Sequence, residues 1–197
     1  MNNILILGHK GMLGHMVYNT LSKIRDLNIS TTQQRFPNFT KSTFDKQDFV
    51  INCIGAIPQR TNNFKVNYEL PTWLVENVSC KIIHPGTDCE MDNNDYGLSK
   101  KKASDFIFTK AIWNGVTTYE WSKQCLELIN NWDTYKSLTT LSSDPISKYE
   151  LLNIIKNVYN KDINIIPKEL GKDKTLIGDI KTGNIKKQII ELKSLTQ

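Results

Sequence analysis

No run of this sequence approaches the roughly 18–20 consecutive apolar residues that a membrane span needs. The first residues lead straight into a strand pattern rather than a basic, apolar, cleavable leader. Both absences predict a cytoplasmic protein. Cysteine is scarce: the four thiols at positions 53, 80, 89 and 125 lie far apart without a CxxC pair, so neither a disulfide framework nor a zinc site is expected. The three histidines, His9, His15 and His84, have no ligand spacing, and no metal centre is expected from them. Internal repeats and low-complexity linkers are missing as well. The charge excess is small, +5 from 25 basic and 20 acidic residues, and the lysines are dispersed. A nucleic-acid-binding face is therefore not expected.

What is present is enough apolar residue, 39% of 197, to bury one sizeable core. Residues 4–7 form a short apolar run ended by Gly8, as in a parallel strand buried on both faces. Met12, Leu13, Met16, Val17, Thr20 and Leu21 then recur at helical spacing. Further strands are expected at 28–32, 49–54 and 81–84, and a helix at 70–77 entered through Pro71. The polar stretch 33–47, with Pro37, reads as a connection of little regular structure. A helix is expected at 96–108, then helices at 118–130 and 147–159 with a strand-like 136–141 between them. Ser147 and Glu150 form a capping box at the start of the last of these. A short strand at 163–166 and a weak helix at 184–195 complete the pattern. Alternating strands and helices predict an α/β, Rossmann-type doubly wound parallel sheet over residues 1–110. A small C-terminal α/β lobe, 111–197, is expected to pack on it as one compact unit.

Three motifs carry chemistry. Gly8-His9-Lys10-Gly11-Met12-Leu13-Gly14 is a GxxGxxG turn between a strand and a helix. Such a turn uses one glycine for the bend, one for close approach to a phosphate and one for helix–strand packing, and the helix N-terminus offers amides to a pyrophosphate. Tyr96-Gly97-Leu98-Ser99-Lys100 is a YxxxK pair on one helix face. An ammonium beside a phenol favours the phenolate and so eases proton donation to a developing alkoxide. Ile82-Ile83-His84-Pro85-Gly86-Thr87-Asp88 is a strand end that delivers the Thr87 hydroxyl where an open parallel sheet places its ligands, positioned to polarise a carbonyl.

Together with DFVINCIGAIPQR, VNYELP, WNGVTTYEWSK and DPISKYELLNIIKNVYNKDINIIP, these segments run in the order of a known family. The chain resembles the extended short-chain dehydrogenase/reductases, and within them the dTDP-4-dehydrorhamnose reductase, or RmlD-like, group. The resemblance implies Thr87, Tyr96 and Lys100 as catalytic residues, with Tyr96 and Lys100 also touching the cofactor. It places Gly8, Gly11, Met12, Leu13 and Gly14 at the cofactor phosphates, and Asn52, Cys53, Ile54 and Gly55 along its adenosine side. Thr87, Asp88 and Asn67 would face the substrate, with a helix-capping or turn role the competing reading for Asn67. Arg35 follows the second strand, where it reads either as a partner for an adenosine 2′-phosphate or as a solvated loop cation. With no acidic residue there, NADPH is slightly favoured over NADH.

The chain is shorter than a usual member of that family, and the shortening is internal. The connection before Phe49 has little room for a helix and strand, eight residues separate Thr87 from Tyr96, and Trp113 follows Lys100 within about a dozen. The leading expectation is an NAD(P)H-dependent reductase of a nucleotide-activated 4-keto-6-deoxy sugar, with the nucleotide sugar as its partner. A degenerate dinucleotide- or sugar-nucleotide-binding protein and a nucleotide-sugar epimerase are the alternatives. A homodimer, in which a second subunit fills the missing pocket wall, is compatible with the shortening.

Overall fold

The computed structural model describes residues 1–87, 94–101, 114–135, 139–163 and 175–195. The chain divides into two compact units, Met1–Phe108 and Thr109–Gln197.

The first unit is built on four strands, β1 (Asn2–Leu7), β2 (Leu27–Thr31), β3 (Phe49–Asn52) and β4 (Lys81–Ile83). They pair in the order β2-β1-β3-β4, and every pair is parallel. Ile4 to Leu7 are each at most 2% exposed, as are Phe49, Val50 and Ile51 beside them. These are the two central strands, covered on both faces, which is why they read as unbroken apolar runs. Each such side chain contributes about 1.5–3 kcal/mol by leaving water. Helix α1 (Met12–Leu21) joins β1 to β2 and buries Gly14, Val17 and Leu21, positions three and four apart on one face. Met12, expected on that face, is exposed because it sits in the first turn, ahead of the buried stripe.

Helix α2 (Val66–Asn77) joins β3 to β4 and begins four residues before the expected start. Pro71 lies inside it rather than at its entrance. Proline has no N–H, so the carbonyl of Asn67 loses its helical donor at that turn. The connection at residues 32–48 holds one turn of 3₁₀ helix, Lys41–Thr43, and no strand or α-helix, in keeping with the expected shortening. It is not simply polar loop. Phe39 and Phe44 are buried, and with Phe36 they pack around Trp73 of α2 with ring centroids 5.7–6.5 Å away. Tilted and edge-on rings at such distances join the apolar cluster of Leu5, Leu7, Val50, Leu70 and Leu74. Helix α3 (Asp95–Lys101) completes the described part of the unit. The remainder of the expected 96–108 helix lies outside the described residues.

In the second unit, α4 (Thr118–Asn130) has the expected bounds, and α5 (Lys148–Val158) starts at the expected capping box. Two-residue strands β5 (Leu141–Ser142) and β6 (Ile180–Lys181) pair in parallel, and α6 (Ile185–Ser194) is capped by Asn184. The expected strand at 136–141 is represented among the described residues by β5 alone, and most of 163–166 lies outside them. Lys123 bridges Glu120 and Glu191 and so ties α4 to α6. No helix among the described residues is long and apolar enough to cross a membrane.

Candidate active site

The strand order places a topological switch between β1 and β3: the chain leaves β1 toward β2 on one side and leaves β3 toward β4 on the other. In open α/β sheets the crevice beyond the carboxyl ends at such a point takes ligands. Here those ends are the turn after β1 and residues 53–55 after β3.

The turn is held by missing side chains. Gly8 has a φ of +76°, and a Cβ there would lie 2.9 Å from Ile54 Cγ1 and 3.1 Å from the Cys53 carbonyl atoms. A Cβ on Gly14 would lie 2.2 Å from Gly8 O and 2.9 Å from His9 Cα, so α1 packs directly on the turn. Gly11 donates its N–H to Gly8 O at 2.9 Å and begins α1 with no side-chain cap and no acidic residue in the first turn. The amides of Met12 and Leu13, at the first helical positions, have no intrahelical acceptor. A bare, uncapped helix start of this kind suits a pyrophosphate.

The opposite side is held by buried carboxamides. Asn67 in the first turn of α2 is completely buried. Its Oδ1 accepts from Ala56 N at 2.7 Å, and its Nδ2 donates to Ala56 O at 3.1 Å and to Ser99 Oγ at 3.0 Å. Ser99 in turn donates to Tyr96 O at 2.7 Å. Asn67 therefore fastens residues 55–56 to α3. The N-cap position of α2 is Lys65, so the amide of Asn67 serves this link and not a helix cap.

Asn94 caps α3: its Oδ1 accepts from Gly97 N at 2.8 Å. Tyr96 and Lys100 lie one turn apart on this helix, and the Tyr96 ring meets Phe64 at 5.5 Å between centroids. Lys100 is only 7% exposed, which a lysine tolerates only when partnered. A Cβ on Gly55 would lie 3.3 Å from Asn67 Oδ1 and 3.4 Å from Lys100 Nζ, so the glycine lets the ammonium approach the β3 loop.

Asn52 and His84 join the ends of β3 and β4. Asn52, completely buried, accepts from Ile54 N at 3.0 Å, and its Nδ2 lies 3.0 Å from His84 Nδ1. Its side chain thus bonds to both the β3 loop and the β4 end. Burial, and then the charge of Lys100, lower the His84 pKa to about 4. Burial pushes the Cys53 thiol up to about 12, so it packs as an inert neutral group. Thr87 is half-buried three residues beyond His84, and Asp88 lies outside the described residues.

The structure thus brings the glycine turn against Cys53 and Ile54, and Lys100 against Gly55. Arg35 is exposed in the connection after β2. Lys10, not singled out in the sequence, donates to Gln33 Oε1 at 2.9 Å, spanning the ends of β1 and β2. A groove of about 700 Å³ between α2 and residues 36–37 and 61–65 is lined by none of the predicted site residues. No cluster of His, Cys, Asp and Glu able to hold a metal ion occurs among the described residues.

No family model and no curated protein matches this chain. Solved structures do. A dTDP-4-dehydrorhamnose reductase from Clostridium acetobutylicum superimposes with a TM-score of 0.69 and 17% identity, covering 99% of each chain. A UDP-N-acetylglucosamine 4-epimerase from Bacillus cereus gives 0.68 and 15%, covering 100% of this chain and 99% of that one. A hypothetical dTDP-4-dehydrorhamnose reductase from Sulfolobus tokodaii gives 0.61 and 15%, covering 93% and 98%. The chain has the Rossmann-type α/β fold of these reductases and epimerases.

Proposed function

We propose that the protein is an NAD(P)H-dependent reductase of a nucleotide-activated 4-keto-6-deoxy sugar. The observation that carries the reading is the convergence of two constructions on the ends of β1 and β3. One is an uncapped glycine turn shaped for a pyrophosphate, and the other is the YxxxK helix with its lysine buried against Gly55. Sites rather than folds decide function, and this pairing suits dinucleotide-dependent carbonyl chemistry. The solved structures of similar fold, named as dTDP-4-dehydrorhamnose reductases and a UDP-N-acetylglucosamine 4-epimerase, support a nucleotide sugar as substrate.

In this mechanism the first amides of α1 hold the pyrophosphate, and residues 53–55 run along the adenosine side through their backbone. A nicotinamide dinucleotide held there would supply hydride chemistry. Tyr96 donates its phenolic proton to the ketone oxygen, Thr87 donates a hydrogen bond to the same oxygen, and the Lys100 ammonium stabilises the phenolate left behind. Asn67 acts through Ser99 and Ala56 as a positioning residue, keeping α3 against the β3 loop. Asp88 remains proposed for the substrate side.

NADPH is favoured over NADH. Between Asp26 and Asp45 there is no acidic residue to claim a free ribose hydroxyl, while Arg35 follows β2 and Lys10 is drawn toward the end of β2 by Gln33.

The test is addition of a dTDP- or UDP-4-keto-6-deoxyhexose to protein preloaded with NADPH or NADH, following absorbance of the reduced nicotinamide. Oxidation on a keto sugar, lost in Tyr96→Phe with cofactor affinity nearly intact, is the expected outcome. Cofactor binding without turnover on any such sugar favours the degenerate binding protein. Interconversion of sugar epimers with no net oxidation favours the epimerase.

A further inference from the structure

Asn52 and His84 stand out because their contact dictates a protonation state. The Asn52 amide has a fixed orientation: its Oδ1 accepts from Ile54 N at 3.0 Å, which an NH₂ in that place could not do. Its other arm is therefore the NH₂ group, 3.0 Å from His84 Nδ1. An NH₂ can only donate, so Nδ1 must accept. Only a neutral imidazole with its proton on Nε2 offers that lone pair.

We infer that Asn52 and His84 form a positioning pair that locks the imidazole as the neutral Nε2–H tautomer, joins the roots of the β3 and β4 loops, and keeps a second positive charge from forming beside Lys100. A proton on Nδ1 would set N–H against N–H in a part-buried site beside the fully buried Asn52, with the Lys100 ammonium of α3 as the charged neighbour that acts on the ring. The pair sits where both loops begin. Asn52 precedes the 53–55 segment that meets Gly8 and Lys100, and His84 precedes the segment that ends in Thr87. A charged His84 would repel Lys100 from the place from which it serves Tyr96. That catalytic consequence rests on the proposed reductase; the tautomer does not.

The test is a long-range ¹H–¹⁵N correlation spectrum of ¹⁵N-histidine-labelled protein, with the His84 signals assigned through His84→Gln and followed from pH about 8 to about 5. The expected result is a protonated Nε2 and a bare Nδ1 throughout, with the midpoint at least one pH unit below that of free imidazole. Asn52→Asp, whose carboxylate accepts instead of donating, should raise that midpoint by at least one unit. In active enzyme it should also cut kcat more than KM near neutral pH, with recovery at higher pH as the ring loses its extra proton. A protonated Nδ1 or an imidazolium in the wild type at pH about 6 overturns the pair, whether or not the enzyme turns over. A wild type with the expected tautomer but no sugar reduction keeps the pair and discards the reductase. Because the decisive reading is made on the unaltered protein, a variant that fails to fold does not remove the test.

Discussion

At the β1 end of the site, backbones touch because side chains are missing: Gly14 leaves its helix resting on Gly8 O and His9 Cα, and Gly8 lies against Cys53 and Ile54. At the β3 and β4 end the same closeness is reached with buried asparagine side chains that hydrogen-bond within the protein. Asn67 spans Ala56 and Ser99, and Asn52 spans Ile54 and His84. The first construction is intolerant of an atom added at Gly8 or Gly14, while the second is intolerant of a lost hydrogen bond. Under the proposed function, a turn that admits a phosphate to its backbone suits the first. A loop that must hold a buried lysine and a tyrosine helix in register suits the second, because directional bonds fix orientation as well as distance.

The sharpest break in this comparison is Gly14→Ala. Its Cβ would meet backbone atoms that cannot rotate away, and overpacking of this sort costs about 3 kcal/mol or more. Urea unfolding should report that loss, together with at least a tenfold weaker cofactor affinity.

Next in size is acidification. The folded pKa of His84 is about 4 against 6.5 for a free imidazole, so the unfolded chain takes up a proton that the folded one refuses. Stability is fully present above about pH 6.5 and is lost as the pH falls toward 4, by about 2–3 kcal/mol at roughly 1.4 kcal/mol per unit. Urea midpoints at pH 7 and 5 should diverge in the wild type and diverge less in His84→Gln.

Asn67→Ala follows. Removing the amide leaves Ala56 N–H and C=O without their partner, at a cost of about 2 kcal/mol. Turnover of the proposed reductase should fall further than cofactor affinity, since α3 and not the glycine turn loses its tether. The mildest change is Gly11→Ala. Its Cβ would meet only Gly8 O, at 3.3 Å, and stability should change by less than about 1 kcal/mol. A loss as large as that of Gly14→Ala would remove the distinction between a packing glycine and an approach glycine.

The same contrast explains what could be read from the sequence. Gly8, Gly11 and Gly14 stand between an apolar strand run and a helical repeat, so the β1 side was legible, as were the central strands through their unbroken apolar runs. Helix α4 and the capping box at Ser147 were legible because each carries its own local signal. Asn52 and Asn67 carry none: one asparagine looks like any other until a partner 32 or 11 residues away is placed beside it. Lys100 was identified by its place in YxxxK, yet its burial against Gly55 is a tertiary fact. The aromatic cover at 32–48 was hidden by the polar residues around Phe36, Phe39 and Phe44. Three phenylalanines in nine residues of a nominal loop were the available signal. β5 and β6, two residues each, are too short to show a period.

The central claim is that the turn from Gly8 to Gly14 holds the pyrophosphate of a nicotinamide dinucleotide. Titration of the purified chain with NADPH and with NADH, read by calorimetry, tests it before any sugar is added. The account predicts saturable binding of one nucleotide per chain, tighter for NADPH and weakened at least tenfold in Gly14→Ala. Absence of binding to either nucleotide, or binding unchanged by Gly14→Ala, would contradict it.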